Sequence, residues 1–183
     1  LERSSLTDKH MKLQKSLDAF LFCCYAGMRY SDFTNLSKKN IVDINQETWL
    51  IYKSVKTGTE VRLPLYLLFA GKGIVILNKY RNNLEDFFRL RDNSNINKDL
   101  IIIAKLAGLS KKISFHTARH TNATLLIYNG VNITTVQKLL GHKSVKTTQV
   151  YTNIMDMTIV HDLEKIKQAA LGIKKKTDNS FNK

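Results

Sequence analysis

Proline is nearly missing from these 183 residues: there is one, Pro64, alongside eight glycines. That scarcity excludes collagen-like, polyproline and linker-rich architectures, and it suits a chain built mostly of helix. Cysteine is scarce too. Cys23 and Cys24 are the only two, adjacent in an apolar run, so there is neither a disulfide framework nor a CxxC pair. They read as buried thiols in a helix, in a reduced, cytosolic setting. No apolar run reaches the roughly 18 residues of a membrane span. Residues 1–10 are charged and polar, unlike a signal peptide. The first residue is not Met, so the chain reads as a piece of a longer protein. No Walker-type glycine loop predicts ATP binding, and no carboxylate cluster predicts a two-metal site. Acidic residues are also few: 15 Asp and Glu face 29 Lys and Arg, giving a net charge of +14 and a pI near 9.8. Such a field attracts polyanions, nucleic acid above all. An anionic membrane is the rival partner, but no basic amphipathic helix supports it.

Hydrophobic residues make up 43% of the chain, enough for one packed domain. Asp18 to Ala26 is an apolar helical stretch stopped by Gly27, and a short helix is expected from Tyr30 to Leu36. Thr48 to Tyr52 is aromatic and β-branched, and Val61 to Leu63 alternates before Pro64. Ile41 to Leu63 therefore reads as two or three antiparallel strands, with a hairpin tip at Lys56 to Thr59. Helical patterning resumes over Ile74 to Tyr80 and Ile96 to Ala107. Ser114 caps a helix through Asn129, stopped by Gly130. Asn132 caps another through Leu140, stopped by Gly141, and Ser144 is expected to cap one reaching Tyr151. A last helix is expected over Met157 to Leu171. The class is mainly α with a small antiparallel β-sheet (α+β): one domain over residues 1–173, then a basic, disordered tail over 174–183.

Several side chains carry chemistry. His116 and Arg119 lie at i and i+3 near a helix start, where an imidazole and a guanidinium share a face and can hold a phosphate. Read alone, such pairs are common in basic proteins. His142 follows Gly141 directly, where a histidine also serves simply to complement a helix dipole. Tyr151 stands nine residues after His142. Arg29 opens a helix after the Gly27 break, and Asp32 at i+3 either braces it or caps that helix. Lys56 sits at the hairpin tip before Thr57 and Gly58, and Lys53 competes with it. His10, His120 and His161 suggest no role.

Taken in order, Arg29, Lys56, His116-x-x-Arg119, Gly141-His142 and Tyr151 resemble the signature of the tyrosine recombinases, the phage integrase family. Arg29 fits the first arginine in a Gly-x-Arg-x-x-Asp context, with Asp32 as the acidic member. Lys56 fits the hairpin lysine, favoured over Lys53 by Thr57-Gly58 and by the distance to Pro64. The resemblance spans about Leu13 to Leu171, the family's catalytic domain, and the family's N-terminal core-binding domain is absent.

The resemblance implies an enzyme of DNA strand cleavage and rejoining, without metal or ATP. Arg29, Arg119 and His142 would stabilise charge on the scissile phosphate. Tyr151 would attack phosphorus to give a 3′-phosphotyrosine, with His116 as general base and Lys56 as general acid. It further implies double-stranded DNA as substrate, a homotetramer on two recombination sites, and accessory DNA-bending or directionality factors. The compartment would be a bacterial cytoplasm, at the nucleoid. Ile159, Leu163, Ile166 and Ala170 recur at helical spacing, as in a C-terminal helix exchanged between protomers. Lys38, Lys39, Lys111, Lys112, Lys143 and Lys146 are candidate contacts to DNA phosphates. The wording from Phe22 to Asp32 is similar to integrases of Bacteroides-type mobile elements, so integration is the leading role. Alternatives are Xer-like resolution of chromosome dimers, a type IB topoisomerase, and a catalytically silent DNA-binding module. Tyr151 nine residues after the Leu-Gly-His box favours a recombinase over a topoisomerase.

Overall fold

The computed structural model describes residues 2–151 with Leu163, Glu164, Ile166 and Lys167, and side chains from His10 onward. A long helix, α1 (Glu2–Ala26), runs through the middle of the fold. Gly27 breaks it at φ +67°, a conformation glycine adopts without steric cost. The short α2 (Tyr30–Thr34) follows, then three strands: β1 (Ile41–Ile44), β2 (Glu47–Lys53) and β3 (Glu60–Pro64). They form one antiparallel sheet in the order β1-β2-β3, with Ile44 opposite Glu47 and Lys53 opposite Glu60. The β1–β2 connection is a two-residue turn, Asn45 and Gln46, at φ 53° and 66°. Five helices complete the order: α3 (Lys72–Lys79), α4 (Leu84–Phe88), α5 (Asn93–Leu106), α6 (Phe115–Tyr128) and α7 (Ile133–Leu140), before a single turn, α8 (Lys146–Gln149).

Helix α1 is covered by α6, α3 and α5, while α7 packs on β3. An aromatic cluster anchors the corner that carries the α1–α2 break. Phe33 of α2 meets Phe22, Phe87, Phe88 and Phe115, with ring centroids 5.3–6.2 Å apart. Such edge-on and tilted contacts add to the burial of these large rings. Phe87 and Phe88 belong to α4, which the periodicity reading passes over because five residues are too few to display a helical period.

The expected α+β class stands, and the helices started by Ser114 and Asn132 lie where their caps place them. Other expectations need correction. The helix after Arg29 ends at Thr34, because Asn35 and Leu36 bond three residues back, to Asp32 and Phe33. The Ser144 hydroxyl accepts the Lys146 amide at 3.3 Å, as expected of a cap, but the turn it starts stops at Gln149, short of Tyr151. Buried Thr148 is tied to His142, and the Tyr151 amide bonds to the Thr148 carbonyl, three residues back. The helix expected over Met157 to Leu171 falls almost wholly outside the described residues, where Leu163, Glu164, Ile166 and Lys167 are helical and exposed. Among the described residues no helix is long and apolar enough to cross a membrane.

Candidate active site

Three chain breaks meet around Arg119 and the end of α7. At the first, Gly27 lets the end of α1 approach α6 and α7: a Cβ there would lie 2.6 Å from Asn122 Oδ1 and 2.9 Å from Leu140 Cδ2. Asn122 caps α1 by donating to the carbonyls of Cys24 and Tyr25, each at 3.0 Å. At the second, Gly141 closes α7 at φ 63°. The amides of Gly141 and His142 bond back to the carbonyls of Lys138 and Gln137, a Schellman-type ending. A Cβ on Gly141 would lie 2.6 Å from Val61 Cγ2. The third is the turn between β2 and β3. Its tip is pinned to α7 by Thr57, whose hydroxyl donates to the Gly141 carbonyl at 3.0 Å.

Arg119 forms the floor. It is 1% exposed and donates from one terminal nitrogen to the Gly27 carbonyl at 2.7 Å and from the other to the Leu140 carbonyl at 2.6 Å. Burial, then the nearby charge of Arg29, lowers its pKa to about 10, so it remains a cation at neutral pH. Arg29 is held differently: one guanidinium nitrogen donates to Ser54 Oγ at 3.2 Å and to Asp32 at 3.5 Å. Asp32 is itself fixed by the Val55 amide at 2.8 Å and by the Ser54 hydroxyl. Tyr52 lies beneath them, its hydroxyl buried without a hydrogen-bond partner. Burial, reinforced by Asp32, raises its pKa.

His142 is buried, with Nδ1 2.9 Å from Thr148 Oγ1. Its pKa falls to about 4, first through burial and then through Arg119, Arg29 and Lys56, so at pH 7 the ring is neutral. His116 is exposed, and its pKa is lowered by burial of part of the ring, then by His120, Arg119, Arg29 and Lys56. Tyr151 is 7% exposed. Burial raises its pKa, while Arg119 and Arg29 pull it back. The six candidate residues therefore share one electrostatic neighbourhood. Lys56 belongs to it, exposed at the turn tip, whereas Lys53 ends β2 opposite Glu60.

The other six candidate lysines are exposed. Lys38 and Lys39 lie on the turn before β1, Lys111 and Lys112 between α5 and α6, and Lys143 and Lys146 just after His142. Cys23 and Cys24 are buried and free. Burial pushes the Cys23 thiol well up and Cys24 to about 12, which leaves neither as a nucleophile at neutral pH. Among the described residues no three His, Cys, Asp or Glu side chains gather into a metal-binding group.

His120 was passed over on sequence. Its ring lies 4.3 Å from that of His116 and 5.3 Å from that of Tyr151, centroid to centroid. The signal was present, since i and i+4 share a helix face. Ser54, Thr57 and Thr148 were missed as well, because short hydroxyl side chains carry no signal until their partners are known.

Residues 3–157 match the phage integrase family, and the chain belongs to that family. It is 30% identical over 159 residues to a tyrosine recombinase XerC of Rickettsia prowazekii, covering 82% of this chain and 49% of the relative. Over 171 residues it is 50% identical to a tyrosine recombinase XerD of Bifidobacterium longum, covering 84% of this chain and 54% of that protein. The chain thus spans about half the length of these curated relatives. The fold is shared with the crystal structure of XerA recombinase, at a TM-score of 0.64 and 24% identity, covering 83% and 62% of the two chains. It is shared too with the Tn1549 transposon integrase bound to circular intermediate DNA, at a TM-score of 0.57 and 18% identity, covering 75% and 53%.

Proposed function

We propose that this chain is the catalytic part of a site-specific DNA recombinase that cuts and rejoins double-stranded DNA through a 3′-phosphotyrosine. One arrangement carries the reading: Arg119 and Arg29, remote from each other in sequence, lie near enough to His116, His142 and Tyr151 to influence the charge of all three, and Lys56 does so for both histidines. Phosphodiester displacement builds negative charge on the non-bridging oxygens, and fixed donors stabilise that charge as it forms. Arg29 and Arg119 supply two guanidinium groups that stay charged at neutral pH. When the Thr148 hydroxyl donates to Nδ1, neutral His142 keeps its proton on Nε2 and can donate it toward the phosphate.

Tyr151 Oη attacks phosphorus while His116 takes its proton. The P–O5′ bond breaks, and Lys56 protonates the leaving 5′-oxygen. A 5′-hydroxyl of a second duplex then attacks the phosphotyrosine and returns the proton, so that two sites and four protomers complete strand exchange. The same reading takes in the exposed lysines as phosphate contacts, accessory bending or directionality factors, and the bacterial nucleoid as location. Integration of a mobile element is the role we favour. Chromosome-dimer resolution is the second reading, favoured by the Xer names of the curated relatives.

The test is a nicked suicide-substrate pool with randomised cores, incubated with the chain without added metal. A denaturation-resistant adduct is expected from the wild type and none from Tyr151→Phe, which should bind DNA with unchanged affinity. An adduct that survives Tyr151→Phe would remove that residue as nucleophile. Sequencing the trapped DNA separates element ends from a chromosomal resolution site.

A further inference from the structure

Helix α6 carries His116 and His120 one turn apart on the same face, and Tyr151 returns to that face from beyond α8. His120 touches both of the other rings. His120 stands edge-on to His116 at 4.3 Å and 90°, and meets Tyr151 at 5.3 Å and 63°. The half-buried His120 is thus in ring contact with both the proposed base and the proposed nucleophile. We propose that His120 is a positioning residue for strand cleavage, a ring in contact with both imidazole and phenol that fixes how the two approach each other. The inference rests on the roles assigned above to His116 and Tyr151.

Two consequences follow. First, Tyr151 is buried, so its path to a phosphate is set by the walls around it, and the His120 ring is one of those walls. Removing that ring leaves the phenol free to settle away from His116, and a displacement of about 1 Å is enough to cost on the order of a hundredfold in rate. Second, the His120 contact is among the causes that lower the pKa of His116. The groups that oppose protonation of His116 are His120 and Arg119 on its own helix, Arg29 from the α1–α2 break and Lys56 from the β2–β3 turn. Tyr151 faces Arg119 and Arg29. Replacing His120 with an uncharged ring therefore raises the pH at which His116 loses its proton.

His120→Phe keeps a ring in place and removes the titration, whereas His120→Ala removes both. Two measurements on the chain decide the matter. Imidazole NMR titration without DNA follows His116 in the wild type and in His120→Phe. Single-turnover adduct formation on the suicide-substrate pool is then followed against pH. We expect His116 to titrate higher in His120→Phe, and the acid limb of the cleavage profile to move up with it, at unchanged melting temperature. His120→Ala should slow adduct formation by about ten- to a hundredfold, with DNA affinity retained. A His120→Phe variant with the wild-type His116 midpoint and the wild-type pH profile would reduce His120 to packing and overturn the proposal. So would His120→Ala at the wild-type rate. No adduct from the wild type would instead overturn the recombinase reading, while the His116 midpoint would still report on the ring contact.

Discussion

Arg119 and Lys56, both assigned to the proposed site, are held in place by different physics. Arg119 lies on the floor, buried, with both terminal nitrogens spent on the carbonyls of Gly27 and Leu140. Lys56 stands exposed on a six-residue turn held by two local bonds, the Ser54 amide to Thr59 and the Gly58 amide to Ser54, and by one long-range bond, Thr57 to Gly141. A charge on the floor costs desolvation and must be compensated by fixed dipoles. A charge on the rim keeps its water until substrate displaces it. The floor thus gains rigidity because it belongs to the core, and the rim gains reach because it does not.

That contrast makes rate and stability separable. Arg119→Ala should have the largest effect: no measurable adduct, and a loss of about 3 kcal/mol or more in urea denaturation. Two buried carbonyls lose their donors and a guanidinium-sized void remains. A fully stable Arg119→Ala would show that the floor is not part of the core. Lys56→Ala should come next, slowing cleavage by about 10²–10³-fold with stability changed by less than about 0.5 kcal/mol. A 5′-bridging sulfur, whose thiolate leaves without a proton, should restore its rate. Lys53→Ala should cleave normally, and the reverse result would exchange their roles. Gly141→Ala tests the seam between floor and rim. Positive φ and the contact with fully buried Val61 should cost about 2 kcal/mol and loosen the turn tip, lowering rate and stability together. The smallest effect belongs far from the cleft. Gln46→Gly, at φ 66° in the β1–β2 turn, should stabilise by about 0.5–1 kcal/mol and leave cleavage untouched.

Much of the rim was legible because its information is local. Lys56-Thr57-Gly58 reads as a turn, and Ser114, Asn132 and Gly141 announce where α6 and α7 begin or end. His116 and Arg119 are recognisable from their spacing. The floor was legible only as residue types. Nothing near Arg119 announces that it will bond to Gly27, 92 positions away, since such pairings exist only once α1, α6 and α7 have packed. The same applies to Tyr52, whose buried hydroxyl lies near Asp32 and Arg119, both remote in sequence. Ser144 was legible as a cap, and its hydroxyl does accept the Lys146 amide, but nothing local announces that the turn stops at Gln149.

The bonds from Arg119 to the ends of α1 and α7 also bear on how such a protein would decay. On the proposed mechanism, losing the Tyr151 hydroxyl would remove the reaction with little change in packing, since a phenylalanine fills the same space. Losing Arg119 takes the architecture along with the activity. A lineage released from the need to cut DNA would therefore shed its tyrosine early and keep its buried arginine. In such a descendant the arginine would testify to the fold alone, and only the tyrosine would report whether the enzyme is still alive.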